Sequence, residues 1–260
     1  MVQVCLNGRR GGADGASVPL SPEALAEAAA LAVTAGATGI HVHPRTPCGQ
    51  DSLSPRVVAA TVEAIRARVA VPVGVTTGAW AEPDPAARLM GVPPRERVRA
   101  WGRVRGWRAP LPDHASVNWH EEGAEELAAR LIALGVRVEA GIWSGTDAAA
   151  RFTASPLGPK VLRVLAEVTD PDPDTAPESA RRLLADLGRA HGRPVLLHGE
   201  EGGAWPVLRL AGRLGLATRI GLEDTLLLPD GGPAASNAQL VTEGLLQYGS
   251  AAQGRDSSNG

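Results

Sequence analysis

Gly39-Ile40-His41-Val42-His43-Pro44-Arg45 carries two imidazoles two residues apart in a run that reads as a buried strand. Side chains along a strand alternate faces, so His41 and His43 point one way and Val42 turns back toward a packing layer. Two neutral imidazoles on one face make half of a zinc site, and a catalytic zinc needs one more protein ligand and an open position. A pair of hydrogen-bonded core histidines is the alternative, and the rest of the chain must decide between them.

Outward from this run, similar β-rich stretches recur at 2–6, 71–76, 114–118, 136–141, 161–166, 194–198 and 218–222, with the quoted strand at 39–43. Segments of helical period separate them, at 22–34, 55–68, 94–104, 120–134, 147–154, 177–190, 204–214 and 237–248. Ser21-Pro22 and Ser54-Pro55 each read as an N-cap followed by proline in the first helical position. Ser236-Asn-Ala-Gln239 has capping-box spacing. Eight alternating units in 260 residues predict an α/β protein, a (β/α)8 TIM barrel forming one domain over residues 1–250, with its active site at the carboxyl ends of the strands. The alternative, an open doubly wound sheet, lacks support: no Gly-x-Gly-x-x-Gly follows the first strand and no P-loop pattern occurs. The small, polar residues 251–260 are expected to be disordered.

Composition narrows the function. The 26 basic residues nearly balance the 28 acidic ones, which argues against a nucleic-acid partner. No apolar run approaches the roughly 18 residues of a membrane span. Cys5 and Cys48 form no Cys-x-x-Cys pair, so disulfides and thiolate metal sites are not expected and a reducing cytoplasm fits.

In a barrel, polar residues that carry chemistry belong at the last positions of the strands. Asn7, His41, His43, Thr76, Thr77, Ser116, Asn118, Glu139, His198, Arg219, Glu223 and Asp224 all fall there in this reading. The first and last strands of a closed barrel are neighbours, so Glu223 is the natural third ligand beside His41 and His43, completing a His2Glu set. Asp224 then suits a general base held ionised by Arg219. The alternatives are helix-dipole acids for Glu223-Asp224 and a plain ion pair for Arg219. Thr76-Thr77-Gly78 can offer hydroxyl and backbone N–H donors to a substrate carboxylate, or make an ordinary turn. Metal-assisted hydrolysis of a small ester, lactone or amide is a second use for the same ligands.

Taken together, these motifs resemble the β-keto acid cleavage enzymes, whose founding activity is 3-keto-5-aminohexanoate cleavage. The resemblance runs from Leu6-Asn7-Gly8 to Ser236-Asn-Ala-Gln-Leu-Val241. It rests chiefly on His41-Val-His43-Pro-Arg45, Thr76-Thr-Gly78, Ser116-Val-Asn118 and Arg219-x-Gly-x-Glu223-Asp224. It implies a (β/α)8 enzyme, usually a homo-oligomer such as a dimer or tetramer, with zinc or another divalent metal on His41, His43 and Glu223. It implies condensation of a β-keto acid with acetyl-CoA, returning acetoacetate and a new acyl-CoA. Arg219 and Asp224 match the catalytic pair, with Thr76 and Ser116 as hydroxyls of the substrate pocket. Thr77, Gly78, Asn118 and Glu139 are expected to line that pocket as well.

The chain departs from the family pattern in three places. Arg10 stands where relatives with amino-bearing substrates carry a glutamate, so Arg10, or Arg9, is expected to meet an anionic or polar tail. Gly141 takes the place of a second glutamate. Carboxylates crowd the loops after strands six and seven, from Glu167 through Asp170, Asp172 and Asp174, and at Glu200 and Glu201. They would repel the phosphates of CoA unless turned outward. The arginines 95, 97, 99, 103 and 105 supply opposing charge, or form a solvated helix face.

Overall fold

The computed structural model describes residues 1–14, 17–91 and 110–256. Its strands, all parallel to their neighbours, are β1 (Val2–Cys5), β2 (Gly39–Val42), β3 (Val73–Val75), β4 (His114–Asn118), β5 (Arg137–Trp143), β6 (Arg163–Val168), β7 (Val195–Gly199) and β8 (Thr218–Ile220). They neighbour one another in the order β7-β6-β5-β4-β3-β2-β1-β8. The last gap closes where Leu197 N donates to Ala217 O (2.9 Å) and Thr218 Oγ1 to Leu197 O (2.8 Å). The chain is a (β/α)8 barrel, as the alternation predicts.

Among the described residues the outer helices are α1 (Pro22–Thr34), α2 (Pro55–Arg66), α3 (Pro85–Gly91), α4 (Ala124–Leu134), α5 (Ala148–Ala154), α6 (Ala176–Leu187), α7 (Ala204–Leu214) and α8 (Asn237–Asp256). Ser21 Oγ accepts from Ala24 N, as the Ser-Pro signature requires, but Ser54 sits at the N-cap of α2 without a side-chain bond. Ser236 Oγ accepts from Gln239 N (3.2 Å). Gln239 Oε1 reaches one residue beyond the usual box partner, to Ala235 N (2.8 Å). Helix α3 was not expected. The expected helix at 94–104 and its arginines lie outside the described residues. The tail expectation needs correction, because α8 carries on through 251–256 as helix. None of the described helices is long and apolar enough to cross a membrane.

Strand alternation sorts the core from the site. Val4, Ile40, Val42, Val73, Val117, Val138, Val164, Leu197 and Ile220 are buried, and they alternate with the polar or glycine positions of the same strands. They pack under Leu25, Val62, Ile65, Leu127, Leu131, Leu183 and Leu208 of the helices in one apolar layer. The opposite face of the strands is polar: Gln3, His41, His114, Ser116, Asn118, Glu139, Glu167, His198 and Arg219 are all buried. At the amino-terminal end these groups form a floor. Gln3 Nε2 lies 3.2 Å from His114 Nε2, His114 Nε2 lies 3.5 Å from Glu139 Oε2, and Arg163 Nε donates to Glu139 Oε1 (2.5 Å). Gly74 is required here, since any Cβ would overlap the His114 ring.

Candidate active site

At the carboxyl end of β2, His41 and His43 face Glu223, which follows β8. His41 Nε2 is 3.7 Å from Glu223 Oε2 and His43 Nε2 is 3.5 Å from Glu223 Oε1. Potential ligand atoms of the three residues lie within 4.8 Å of one another, the one such group among the described residues. Several local features fix this arrangement. Asn7, just past β1, clamps the backbone of His43 at both ends, donating from Nδ2 to His43 O and accepting from His43 N (2.9 Å each). Asp51 Oδ1 lies 3.6 Å from His43 Nδ1 and 3.2 Å from Arg45 Nε, so a carboxylate backs the imidazole as it does behind many metal ligands. Gly8, at φ +54°, leaves the space that the Glu223 side chain fills.

The donors suit a cation. Glu223 Oε2 is buried without a hydrogen-bond partner and faces His41 Nε2, which is costly unless something else satisfies the carboxylate. Burial, outweighing the pull of Glu223, pushes the His41 pKa down to about 3, so this imidazole is neutral, as a ligand must be. Burial also works against charging His43, but Glu223 and Asp51 prevail and raise its pKa. Burial opposes ionisation of Glu223, yet Arg219 and the two imidazoles hold its carboxyl well below the usual range.

A second cluster adjoins the first. Arg219 starts low on β8, level with Gln3, and its long side chain rises to Glu223 Oε1 (3.1 Å), Asp224 Oδ1 (3.3 Å) and Glu167 Oε2 (3.8 Å). His198 from β7 bridges Asp224 and Glu167, at 3.2 and 3.5 Å. Burial and Arg219 oppose its protonation, but the two carboxylates raise its pKa to about 9. Asp224 is wholly buried and neither of its oxygens has a hydrogen-bond partner. Arg219 and His198 hold this carboxylate in one place, as a general base must be held.

A family model for beta-keto acid cleavage enzymes matches residues 1–246. The chain belongs to this family. It is therefore an enzyme of carbon–carbon bond cleavage and condensation on β-keto acids. No sequence among the curated proteins matches it. Among solved structures it is similar to a ternary complex of ObcA with a C4-CoA adduct and oxalate, at 18% identity and TM-score 0.64, spanning 93% of this chain and 67% of that one. It is also similar to type I 3-dehydroquinate dehydratase from Clostridium difficile, at 11% identity and TM-score 0.56, spanning 96% and 92%. At such identities the likeness establishes the barrel alone.

The structure distributes the other expected residues unevenly. Thr76, just past β3, and Ser116, midway along β4, are buried on the inward face. Thr77 Oγ1 donates to Ser116 O (2.6 Å), so it ties β3 to β4. Gly78 N donates to Thr76 Oγ1 (3.2 Å), and any Cβ on Gly78 would overlap the Trp80 ring. Gly78 thus leaves the space that seats Trp80. Asn118 Nδ2 donates to Glu121 Oε1 (2.8 Å), within a buried group that Arg88 completes.

Glu139 requires a correction. Strand β5 extends to Trp143, two residues past the expected end, so Glu139 lies in the floor rather than at the mouth. Its partners are Arg163 and His114, it is 0% exposed, and it cannot line a pocket. Arg10 is held by its neighbours at the mouth. Its Nη2 pairs with Glu201 (2.7 Å) and its Nε donates to Leu222 O (2.6 Å), so it is already engaged by a neighbouring carboxylate.

Sequence reading passed over three groups. Asp51, Trp80 and Trp143 were not singled out, although Trp143 ends a strand. By sequence alone Glu167 reads only as part of an acidic loop. It lies on β6, and its Oε1 would be 2.8 Å from a Cβ at Gly141, so it occupies the space that Gly141 leaves open. The other acids of that loop turn to local work. Asp170 accepts from Thr175 and Ser179 hydroxyls, and Asp172 from Asp174 N. Glu200 is half-buried, and burial, reinforced by Glu167, raises its pKa to about 7.

Proposed function

We propose that this enzyme is a zinc-dependent acyl exchanger: a β-keto acid and acetyl-CoA go in, and acetoacetate and a new acyl-CoA come out. The observation that carries this reading is the adjacency of His41, His43 and Glu223 to the buried Asp224–Arg219 pair. The donor set, two imidazoles whose Nε2 atoms face one carboxylate, fits zinc, and other divalent ions less selectively. Zinc bound by these three residues would supply Lewis acidity beside the ketone oxygen.

The chain's own groups do the rest. Asp224 takes the proton from the carbon between ketone and carboxylate, and Arg219 and His198 keep its carboxylate aimed and its charge balanced. The resulting carbanion attacks the thioester carbonyl and expels the CoA thiolate. The thiolate then adds to the original ketone carbon. Cleavage of the bond between that carbon and the former carbanion releases the acyl-CoA, and acetoacetate departs with its proton restored. Thr76 and Ser116 place hydroxyls on the inward wall beside this centre. A tail without an ammonium is favoured, because Arg9 lies over the Trp80 ring on the same side of the mouth. A homo-oligomer is proposed on the family resemblance.

Incubation with a panel of β-keto acids and acetyl-CoA, followed by mass detection, should give acetoacetate and the matching acyl-CoA only when both substrates are present. Acid products appearing without any CoA ester would replace this reading with metal-assisted hydrolysis. Asp224→Asn should keep stoichiometric zinc and lose about 10²- to 10⁴-fold in kcat. Full turnover by that variant would remove Asp224 from the chemistry.

A further inference from the structure

The barrel mouth is divided by chemical character. From β6 round to β8 it carries ionisable groups, Glu167, His198 and Arg219 with Asp224. From β2 round to β5 it carries a row of rings, beside the Arg88–Glu121 and Arg45–Asp51 pairs. Trp80, in the loop after β3, lies with its ring nearly parallel to His43 (centroids 5.7 Å apart, 8° between planes). Trp143 at the end of β5 follows at 6.1 Å, and His120 after β4 closes the row 4.8 Å from Trp143.

This row is selective use of a scarce resource, because only 3% of the chain is aromatic. Trp119 packs edge-on against Phe152 in the core, and Trp205 donates its N–H to Leu227 O. Trp80 and Trp143 instead stay half-buried on a wall that begins at His43. The position of Trp80 is built in by Gly78, where any side chain would displace the indole. One face of Trp80 is already covered by the Arg9 guanidinium, 5.7 Å from the ring centroid. A cationic tail entering here would meet a like charge, whereas an apolar tail would displace water from indole surface.

We propose that the Trp80–Trp143–His120 wall is the subsite for the tail of the β-keto acid, and that this tail is aromatic or extended and apolar rather than methyl-sized or cationic. The inference rests on the acyl-exchange reading for the placement of the reacting end. The carboxylate and ketone belong with the metal ligands and the ionic half, so the remaining substituent of the ketone is directed to the aromatic half.

Non-reacting 3-hydroxy acids with methyl, phenyl and aminoalkyl tails test this directly by calorimetric titration of the zinc-loaded enzyme. A single methylene in an apolar pocket already discriminates by about tenfold or more, so the phenyl compound should bind at least about tenfold tighter than the other two. Trp143→Ala should collapse that ratio toward one. Equal affinities in the unaltered enzyme would overturn the proposal, as would an unchanged ratio in the variant; the first needs no variant to fold. Because titration requires no acetyl-CoA, tail preference without any acetoacetate production would sink the exchange reaction and leave the subsite standing. Acetoacetate production without tail preference would do the reverse.

Discussion

Gly8→Ala is a test of how the proposed metal ligands are held, because one methyl group acts on backbone and ligand in separable ways. Gly8 has φ +54°, where an alanine costs about 1–2 kcal/mol. For a chain of this size that corresponds to a fall in Tm of about 2–8 °C in metal-free protein. The added Cβ would also lie 2.9 Å from Glu223 Cβ, and closer still to its Cγ. Restoring ordinary contact at 3.4 Å requires Glu223 Cβ to retreat by about 0.5 Å, and the atom concerned sits next to the backbone, so rotamer changes cannot absorb the move. Metal sites tolerate about 0.2 Å in ligand distance, so zinc affinity should fall by about 10- to 100-fold, the range seen when ligand support is lost. Competition with a chromophoric chelator measures the affinity, and thermal unfolding of the stripped protein measures the backbone cost. A variant with lowered Tm but zinc affinity within threefold of the parent would refute the claim that Gly8 seats Glu223 for metal binding.

Other expectations follow from the same contacts. Asp51→Asn weakens the carboxylate behind His43 Nδ1 and should lower zinc affinity about tenfold, read by the same competition; unchanged affinity would make Asp51 a partner of Arg45 only. Glu139→Gln leaves Arg163 without its charge partner in the floor and should cost about 3–5 kcal/mol in denaturant unfolding while activity per folded molecule persists. Burial alone would raise the Glu139 pKa, but His114 and Arg163 depress it to about 2. A depressed carboxylate contributes stability present above its unfolded value near 4.5 and lost as pH falls toward 2, so the acid limb of Tm against pH should flatten in the variant. His198 is the opposite case. Its pKa is raised from 6.5 to about 9, so its contribution is complete below 6.5 and disappears as pH rises through 9; His198→Gln should remove that alkaline decline, and a variant profile parallel to the parent's would count against the bridge to Asp224 and Glu167.

Much of this protein is local and therefore legible. The order of elements, the helix starts at Pro22 and Ala204 and the face shared by His41 and His43 follow from period, capping and the two-residue repeat of a strand. Closure of the ring then brings Glu223 to the histidines, which the chain order of a barrel already entails. Strand length was less legible, because a strand buried on both faces has no polar alternation toward solvent to mark its end. Two extra residues on β5 moved Glu139 from the mouth to the floor.

The sequence alone determined the barrel, the metal-ligand candidates and the candidate base beside them, since each depends on residue type at a fixed spacing along one strand or turn. Tertiary structure alone decided which charges remain free. Arg10 was taken by Glu201, 191 residues away, His198 was placed between two carboxylates, Glu167 filled the space above Gly141, and the aromatic row was assembled from the ends of β2, β3, β4 and β5. Partners of that kind lie on different strands, and their distances depend on barrel register and side-chain reach, which no local pattern encodes.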